Sequence, residues 1–273
     1  MIRTQGLTVS YSGVNALYPM SVVFREQEFT ALLGPSGAGK STLLRSLNLL
    51  IRPSSGSIMV NGVGVVSGGK ALRDHRRCTA MIFQQHQLLD RQTALHNVLI
   101  GRLGYHSTLR SIFPLSREEQ IIGLQSLERV GLLQKAMERV DRLSGGERQR
   151  VGIARCLAQK PRIILADEPV ASLDPATAEK VMSLLGGICR EDGITAIVSL
   201  HQVSIAKRFA DRVLGLTHGR IVFDGTADEL TDGALNLIYN GSEVRVRREA
   251  KEVALVSGDS VTGLEGRPVR LYQ

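Results

Sequence analysis

The 273-residue sequence has no tryptophan, only three cysteines and no long apolar run. Cys78, Cys156 and Cys189 lie far apart and lack the spacing of metal ligands, so we expect reduced, buried thiols. No run of about 18 or more uncharged apolar residues occurs, and no transmembrane helix is therefore predicted. Residues 1–6 lack the apolar core that is typical of a secretory signal, which favours a cytoplasmic location.

The balance of charges is basic, with a formal net charge of +8. A positive excess can attract nucleic acid or an anionic membrane surface. Because no basic stripe with interleaved aromatic residues is present, we expect a solvated basic surface and no nucleic-acid partner. A chain of this length can bury the core of one or two domains.

One segment of the chain combines glycines with a lysine and a serine at informative positions. The apolar stretch Phe29–Leu33 predicts a buried strand, and Thr42–Leu50 predicts a helix. Between them runs the spacing Gly-x4-Gly-Lys-Ser, which is typical of a phosphate-binding loop. The loop consists of Gly34, Pro35, Ser36, Gly37, Ala38, Gly39, Lys40, Ser41 and Thr42.

The residue types in this loop suit the binding of a polyphosphate. Glycines let successive backbone N–H groups turn inward, and the helix N-terminus adds the positive end of its dipole. Lys40 supplies a positive charge for the outer phosphates, Ser41 a hydroxyl for Mg²⁺, and Thr42 a further hydroxyl near the phosphates. The alternative is a glycine-rich turn that only caps a helix, and it does not explain lysine and serine at these offsets.

Two acids and a histidine follow further predicted strands. Asp167 and Glu168 come directly after the predicted buried strand 162–166, and His201 follows the predicted buried strand 194–200. A carboxylate at the tip of a strand beside the loop can hold Mg²⁺ directly or through water, as we expect of Asp167. Glu168 can polarise an attacking water, and His201 can hydrogen-bond a γ-phosphate.

Gln84 and Tyr11 also stand at predicted strand ends. Gln84 follows the apolar residues 80–83 and can reach a metal-bound water or sense a phosphate. Tyr11 ends a weakly alternating strand, and its ring can stack on an adenine. For these two side chains a surface loop and ordinary packing stay open as alternatives.

A second helix start is suited to an anion. Ser144, Gly145 and Gly146 precede a predicted helix over Glu147–Gln159, and the free amides of such an N-terminus attract negative charge. One chain thus carries one nucleotide loop but two phosphate-binding helix starts. This arrangement predicts that a second molecule completes the site.

Residues 92–140, which precede the second helix start, are predicted to contain three helices. Helices are predicted over Gln92–Ile100, Ser116–Val130 and Leu132–Val140. Ser116 and Glu119 have the spacing of a capping box. After the two acids, Ser172 or Asp174 is expected to cap the following helix.

Taken together, these motifs resemble those of the ATP-binding subunits of ABC transporters, over about residues 1–240. The most specific is Leu143-Ser144-Gly145-Gly146-Glu147, which resembles the ABC signature, although glutamine is commoner than glutamate at its last position. The other motifs resemble Walker A at 34–42, Walker B at 163–168, the Q-loop at Gln84, the D-loop at 172–174, the H-loop at His201 and the A-loop at Tyr11.

The resemblance implies an α/β fold. It would contain a P-loop NTPase (ABC ATPase) core with a parallel sheet, an N-terminal antiparallel β subdomain, and a helical subdomain at 92–158 that carries the signature. It also implies a head-to-tail homodimer, with ATP and Mg²⁺ between Walker A of one chain and the signature of the other. The cassette would occupy residues 1–240, with residues 241–273 as an extension of unassigned role.

The resemblance further assigns roles within this site. Catalysis would fall to Glu168, His201 and Gln84, and metal binding to Ser41, Gln84 and Asp167. The phosphate loop, the A-loop tyrosine and the signature would bind the nucleotide. ATP turnover would drive uptake through transmembrane permease subunits, served by a periplasmic or extracellular solute-binding protein. The subunit would lie peripherally on the cytoplasmic face of the cell (inner) membrane.

A finer resemblance concerns the solute. Gly101–Ser111 and Ser199–Val203 resemble segments of the ATPases of phosphonate importers, which predicts phosphonate uptake. Phosphate, phosphite or an amino acid stays open, because the ATPase does not touch the solute. A soluble ABC ATPase of DNA repair or translation is disfavoured by a single cassette with short connections. A non-enzymatic ATP-binding module is disfavoured by the intact Asp167-Glu168 pair.

Overall fold

Two β-sheets organise the part of the chain that a computed structural model describes, namely residues 1–84, 87–106 and 115–241. The strands are β1 (Ile2–Tyr11), β2 (Val14–Met20), β3 (Val23–Phe24), β4 (Phe29–Leu33), β5 (Ser55–Val60), β6 (Gly64–Val65), β7 (Thr79–Ile82), β8 (Ile163–Asp167), β9 (Thr195–Ser199), β10 (Arg212–Thr217) and β11 (Arg220–Gly225). Apolar sequence runs predict most of these strands, because each run is short and bounded by turn residues.

Helices connect and cover the strands. They are α1 (Lys40–Leu47), α2 (Gly69–Cys78), α3 (Ala94–Leu99), α4 (Arg117–Arg129), α5 (Gly145–Ala158), α6 (Pro175–Glu191), α7 (Val203–Phe209) and α8 (232–241). Shorter 3₁₀ segments occupy Ile100–Tyr105, Leu133–Lys135 and Val140–Arg142. Helices α3, α4 and α5 pack against one another. They fall within the range 92–158, whose status as a separate subdomain stays a prediction.

The larger sheet has the strand order β11-β10-β4-β9-β8-β7. Its strands are parallel except for the antiparallel β10–β11 hairpin. Every residue of β4, β8 and β9 is buried, because a parallel sheet is covered on both faces. Leu32 and Ile197 pack into one core, whereas Ala31 and Val198 pack into the other. The predicted parallel-sheet core is confirmed.

The smaller sheet is antiparallel and built from the N-terminal strands. Its order is β2-β1-β5-β6, and β3 also pairs with β1. Its inner face contributes Leu7, Leu17 and Ile58 to the core that also contains Leu43 and Leu47 of α1. The helix after the phosphate loop is therefore held between the two sheets.

The segment predicted as a helix over Leu132–Val140 is not one. It contains 3₁₀ turns, and its carbonyl groups serve the start of α3 instead. The N–H of Ala94 donates to Glu138 (2.8 Å), and the N–H of Leu95 donates to Ala136 (2.9 Å). These bonds satisfy free amides at the α3 N-terminus, where no intrahelical acceptor exists.

The predicted helix caps are confirmed in part. Ser116 caps α4 by accepting from the N–H of Glu119, and Asp174 caps α6. The reciprocal half of the predicted capping box at α4 does not form. The Glu119 carboxylate instead lies 3.4 Å from Nε of Arg102 and 2.7 Å from Nε2 of His106.

Two stretches discussed from the sequence lie outside the described residues. They are 242–273, almost all of the C-terminal extension, and 107–111, the end of the segment that resembles phosphonate importers. Within the described ranges, no helix combines the length and apolar character needed to cross a bilayer.

Candidate active site

The phosphate loop connects β4 to α1 and requires glycine at two positions. Gly34 has φ +149°, and a Cβ there would lie 2.1 Å from the carbonyl oxygen of Leu216. Gly39 caps α1 with φ +101°, and a Cβ there would lie 2.7 Å from Cδ2 of Leu17. Only a residue without a side chain tolerates both the backbone angle and the close approach. The loop therefore runs tightly against β10 and β2.

Lys40 is the first residue of α1, and its ammonium group contacts the backbone of the phosphate loop. Nζ donates to the carbonyl oxygens of Gly34 (2.7 Å) and Pro35 (3.1 Å). Lys40 is buried, and burial lowers its pKa, against the opposing influence of the Glu168 and Asp167 charges. The predicted lysine is thus a buried cation between the loop carbonyls and two acids.

Asp167 joins the phosphate loop to β8. Its Oδ1 accepts from Oγ of Ser41 at 2.7 Å and from Oγ of Ser199 at 3.0 Å. Its Oδ2 lies 3.6 Å from the guanidinium of Arg45. The carboxylate is only 3% exposed, and these partners offset the cost of burying its charge. Ser41 and Asp167, predicted to share a metal, are in direct contact.

Glu168 has an unusual backbone and a short side-chain contact. Its φ is +49°, in the left-handed region that costs a non-glycine residue about 1 kcal/mol or more. Its N–H donates to Oγ of Ser199 at 2.8 Å, which fixes this conformation. Oε1 lies 2.5 Å from Nε2 of His201. Strain of this kind, held by the surrounding structure, is typical of functional sites.

The strand order explains why these side chains meet. β4, β9 and β8 are neighbours, and their carboxyl ends lead respectively into the phosphate loop, His201 and the two acids. Gln84 follows β7, which pairs with β8, and its side chain is exposed at the same edge. Among the described residues, no hydrogen bond joins Gln84 to the other predicted site residues. Its role stays a prediction.

The signature segment stands at the start of α5. Oγ of Ser144 accepts from the N–H of Glu147 at 3.4 Å, and the Glu147 carboxylate accepts from the N–H of Ser144 at 2.9 Å. This capping box was not predicted from the sequence, although Ser-x-x-Glu was its signal. A Cβ on Gly146 would lie 2.6 Å from Cγ2 of Thr177. In the described part of one chain, no hydrogen bond or ion pair connects this segment to residues 34–42.

Three side chains that contribute to the site were missed in the sequence, and the role of Tyr11 stays open together with that of Gln84. Ser199 and Arg45 bind Asp167, and Lys135 forms an ion pair with Glu147 at 2.6 Å. Ser199 had a signal, because it is a polar residue at the end of an apolar strand two positions before His201. Lys135 had none, because its segment was expected to be helical. Tyr11 is half-exposed at the end of β1, so its proposed stacking remains a prediction.

The oxygen donors suit Mg²⁺ that is shared with a nucleotide. Among the described residues, no cluster of three His, Cys, Asp or Glu side chains could hold a metal ion by itself. Ser41 and Asp167 instead bring a hydroxyl and a carboxylate together. Mg²⁺ is typically bound by one or two such protein ligands together with substrate phosphates and water. The residues present therefore fit this ion.

Fold and site together define the class of protein: a P-loop NTPase, with a nucleotide loop, an acidic strand end and a histidine at one edge of a parallel sheet. A family model described as "ABC transporter" matches residues 17–171. The chain belongs to the ABC transporter family. The family resemblance and the fold class predicted from the motifs are confirmed.

Curated relatives cover most of the chain. The phosphite import ATP-binding protein PxtA of Stutzerimonas stutzeri is 62% identical over 242 residues, which are 88% of each protein. The phosphonates import ATP-binding protein PhnC 3 of a Nostoc species is 59% identical over 244 residues, 89% of this chain and 93% of that protein.

Solved structures show the same fold. One is the dimeric, post-hydrolysis state of an ATP-binding cassette bound to ADP and Pi. It has 33% identity and a TM-score of 0.73, and the match covers 83% of this chain and 99% of that one. Another is cbiO1 of Clostridium perfringens, part of the transporter complex cbiONQ. It has 29% identity and a TM-score of 0.74, and the match covers 84% and 89% of the two chains.

Proposed function

We propose that this protein is the ATP-hydrolysing subunit of an importer that takes up phosphonate through a membrane permease. The observation that carries the ATPase role is the convergence of Ser41, Asp167, Glu168 and His201 at one sheet edge beside the phosphate loop. A protein that used ATP only as a structural ligand would not need a buried acid and a second, histidine-bound acid beside the phosphates.

Each group at this edge has a defined task. Lys40 and the loop amides bind the phosphates, Ser41 and Asp167 hold Mg²⁺ with Gln84 nearby, and Glu168 accepts the proton of the attacking water. Mg²⁺, when bound, neutralises charge on the phosphate oxygens.

His201 positions the Glu168 carboxylate and can donate to the γ-phosphate. The contact of 2.5 Å between the two side chains supports this role. Most of the rate gain then comes from positioning and from charge stabilisation.

A dimer completes the proposed site. Within one chain the capped N-terminus of α5 makes no polar contact with the phosphate loop, as far as the described residues extend. We assign Ser144, Gly145 and Gly146 to the ATP that is held by the loop of a second copy. The dimeric cassettes among the solved relatives support this assembly. ATP favours the closed dimer, and hydrolysis reopens it.

The relatives support a phosphorus oxyanion as the solute. Phosphonate is the first candidate, because several relatives are phosphonate import proteins and two segments of the chain resemble theirs. Phosphite is the second, because the phosphite import protein shares 62% identity. A solute-binding protein outside the membrane would deliver the solute, and the ATPase would lie peripherally on the cytoplasmic face.

Uptake by cells tests this proposal. Cells that carry the wild-type protein or Glu168→Gln are given labelled alkylphosphonate, with phosphate and phosphite as competitors. We expect uptake that depends on Glu168 and is not reduced by phosphate. Competition by phosphite would change the solute to the second candidate. Uptake that is independent of Glu168, from a protein that hydrolyses ATP in vitro, would overturn the importer role.

A further inference from the structure

A carboxylate lies at the signature helix start, where an anion is proposed to bind. Glu147 bonds Ser144 twice through the same oxygen: Oε2 accepts from the backbone N–H (2.9 Å) and from the hydroxyl (3.0 Å). The contact with Lys135, followed by these two bonds from Ser144, lowers the pKa of Glu147 to about 2. The group is therefore ionised at every physiological pH, within one residue of Gly146.

That charge conflicts with the proposed ligand. A negative group beside the α5 N-terminus stabilises the free helix, because it faces the positive end of the dipole. The same charge repels a second anion that approaches the same amides, at a separation where the interaction is incompletely screened. A phosphate can bind strongly here only when the carboxylate is neutralised by a nearby cation.

Lys135 supplies that cation. Its Nζ lies 2.6 Å from Oε1 of Glu147, the oxygen that Ser144 does not use. The lysine ends the 3₁₀ turn Leu133–Lys135, and its side chain reaches α5 through this ion pair. Two further charges face the lysine, those of Glu138 and Arg150. Arg150 directs its guanidinium at the carbonyl oxygen of Val130 (3.0 Å).

We propose that Lys135 is a positioning residue for ATP-driven dimer closure. It compensates the charge of Glu147 at the carboxylate oxygen that does not bond Ser144. The hydrogen bonds of the signature cap therefore remain, and the repulsion of an incoming phosphate is reduced. This inference rests on the proposed function, because it requires ATP to meet the signature of a second copy. A role in folding stability alone is disfavoured, because the lysine of this pair is 41% exposed and ion pairs with an exposed partner add little to stability.

A double-mutant cycle tests the proposal in a Glu168→Gln background, which retains ATP. The measured quantity is the Mg-ATP concentration for half-maximal dimerisation, from sedimentation velocity. We expect Lys135→Met to raise this concentration about fivefold, because the Glu147 charge is left uncompensated. Glu147→Gln should dimerise at the same Mg-ATP concentration as the parent or at a lower one, because the carboxylate charge is removed while a glutamine still forms the capping box.

The double variant Lys135→Met/Glu147→Gln shows whether a defect of Lys135→Met comes from the uncompensated charge of Glu147 or from the lost packing of the lysine side chain. It should return to within about twofold of the parent, because no carboxylate remains to be neutralised. Lys135→Arg should match the parent, and the Lys135→Met defect should shrink at high salt. Lys70→Met, which removes an exposed lysine on α2, is the matched control and should match the parent.

The outcomes separate this proposal from the proposed function. If Lys135→Met matches the parent, or if the double variant is as weak as Lys135→Met, the positioning role is overturned while the dimer stands. If the Glu168→Gln parent forms no dimer at any Mg-ATP concentration, the proposed assembly falls and this inference falls with it.

Discussion

Ser199 connects the two acidic residues at the end of β8 through hydrogen bonds to both of them. Its hydroxyl donates to Asp167 and accepts from the N–H of Glu168. One side chain therefore positions both the proposed metal ligand and the proposed general base. It also stabilises the left-handed backbone of Glu168, which is unfavourable without support. Ser199 can therefore affect ATP hydrolysis by positioning Asp167 and Glu168, without contacting the substrate itself.

We expect Ser199→Ala to lower kcat for ATP hydrolysis by about 10- to 100-fold, as is common when a partner of a metal-binding carboxylate is removed. The ATP dissociation constant should change by less than about threefold, because the phosphate loop is untouched. Steady-state kinetics and nucleotide titration check both values. Ser126→Ala is the control, since within the described residues its hydroxyl bonds only to the Ile122 carbonyl of α4. Equal kcat in the two variants would contradict the role of Ser199.

Residue types and spacing predict the main members of this site but not their contacts. Lys40, Asp167 and Glu168 follow from a motif and an apolar strand, which depend on local sequence alone. The Ser199 bonds depend on β9 lying between β4 and β8, which is a property of strand order. The Lys135–Glu147 pair depends on the path of a segment that is not helical, so no local pattern indicates it.

At the scale of elements, α4 and α5 begin with the same cap. Ser116 and Ser144 both have φ −62° and ψ 162°, and each accepts from an amide three residues ahead. The two helices differ in the partners of the glutamate that lies three residues after the cap. Glu119 binds Arg102 and His106 in the interior, whereas Glu147 closes the box at the proposed phosphate site.

This pair of caps allows a matched comparison. Ser116→Ala and Ser144→Ala should each lower the free energy of unfolding by about 1 kcal/mol, the usual cost of losing a serine cap. Only Ser144→Ala should also suppress ATP hydrolysis, by about tenfold or more, because only this hydroxyl faces the proposed nucleotide. Denaturant unfolding and ATPase assays measure the two effects. Similar ATPase activity in both variants would argue against a catalytic use of the signature serine.

Elements with continuous apolar runs, such as β4, β8 and β9, are predictable because both of their faces are buried. The failure at 132–140 has an equally physical cause. Leu132, Ala136 and Val140 are buried at helical spacing, as the sequence indicates. The backbone carbonyls of Ala136 and Glu138, however, accept from amides at the start of α3, and a periodic sequence pattern does not show that competition.

At the scale of the whole molecule, no hydrogen bond or ion pair joins the two proposed halves of the site within the described residues of one chain. The phosphate loop and the acids gather at the edge of the parallel sheet, and the capped signature belongs to α5 in the helical region. A second copy arranged head to tail would unite them twice, once at each ATP. In such a dimer, ATP-driven association and hydrolysis would be two parts of one cycle.

The most direct test compares wild-type protein with Glu168→Gln by analytical ultracentrifugation with and without Mg-ATP, alongside ATPase assays. We expect Glu168→Gln to lower the rate of ATP hydrolysis by about 100-fold or more, because the proposed base is lost. It should still bind ATP and accumulate as a dimer, while the wild type returns to monomer as ATP is consumed. A Glu168→Gln protein that binds ATP but stays monomeric at saturation would contradict the central claim.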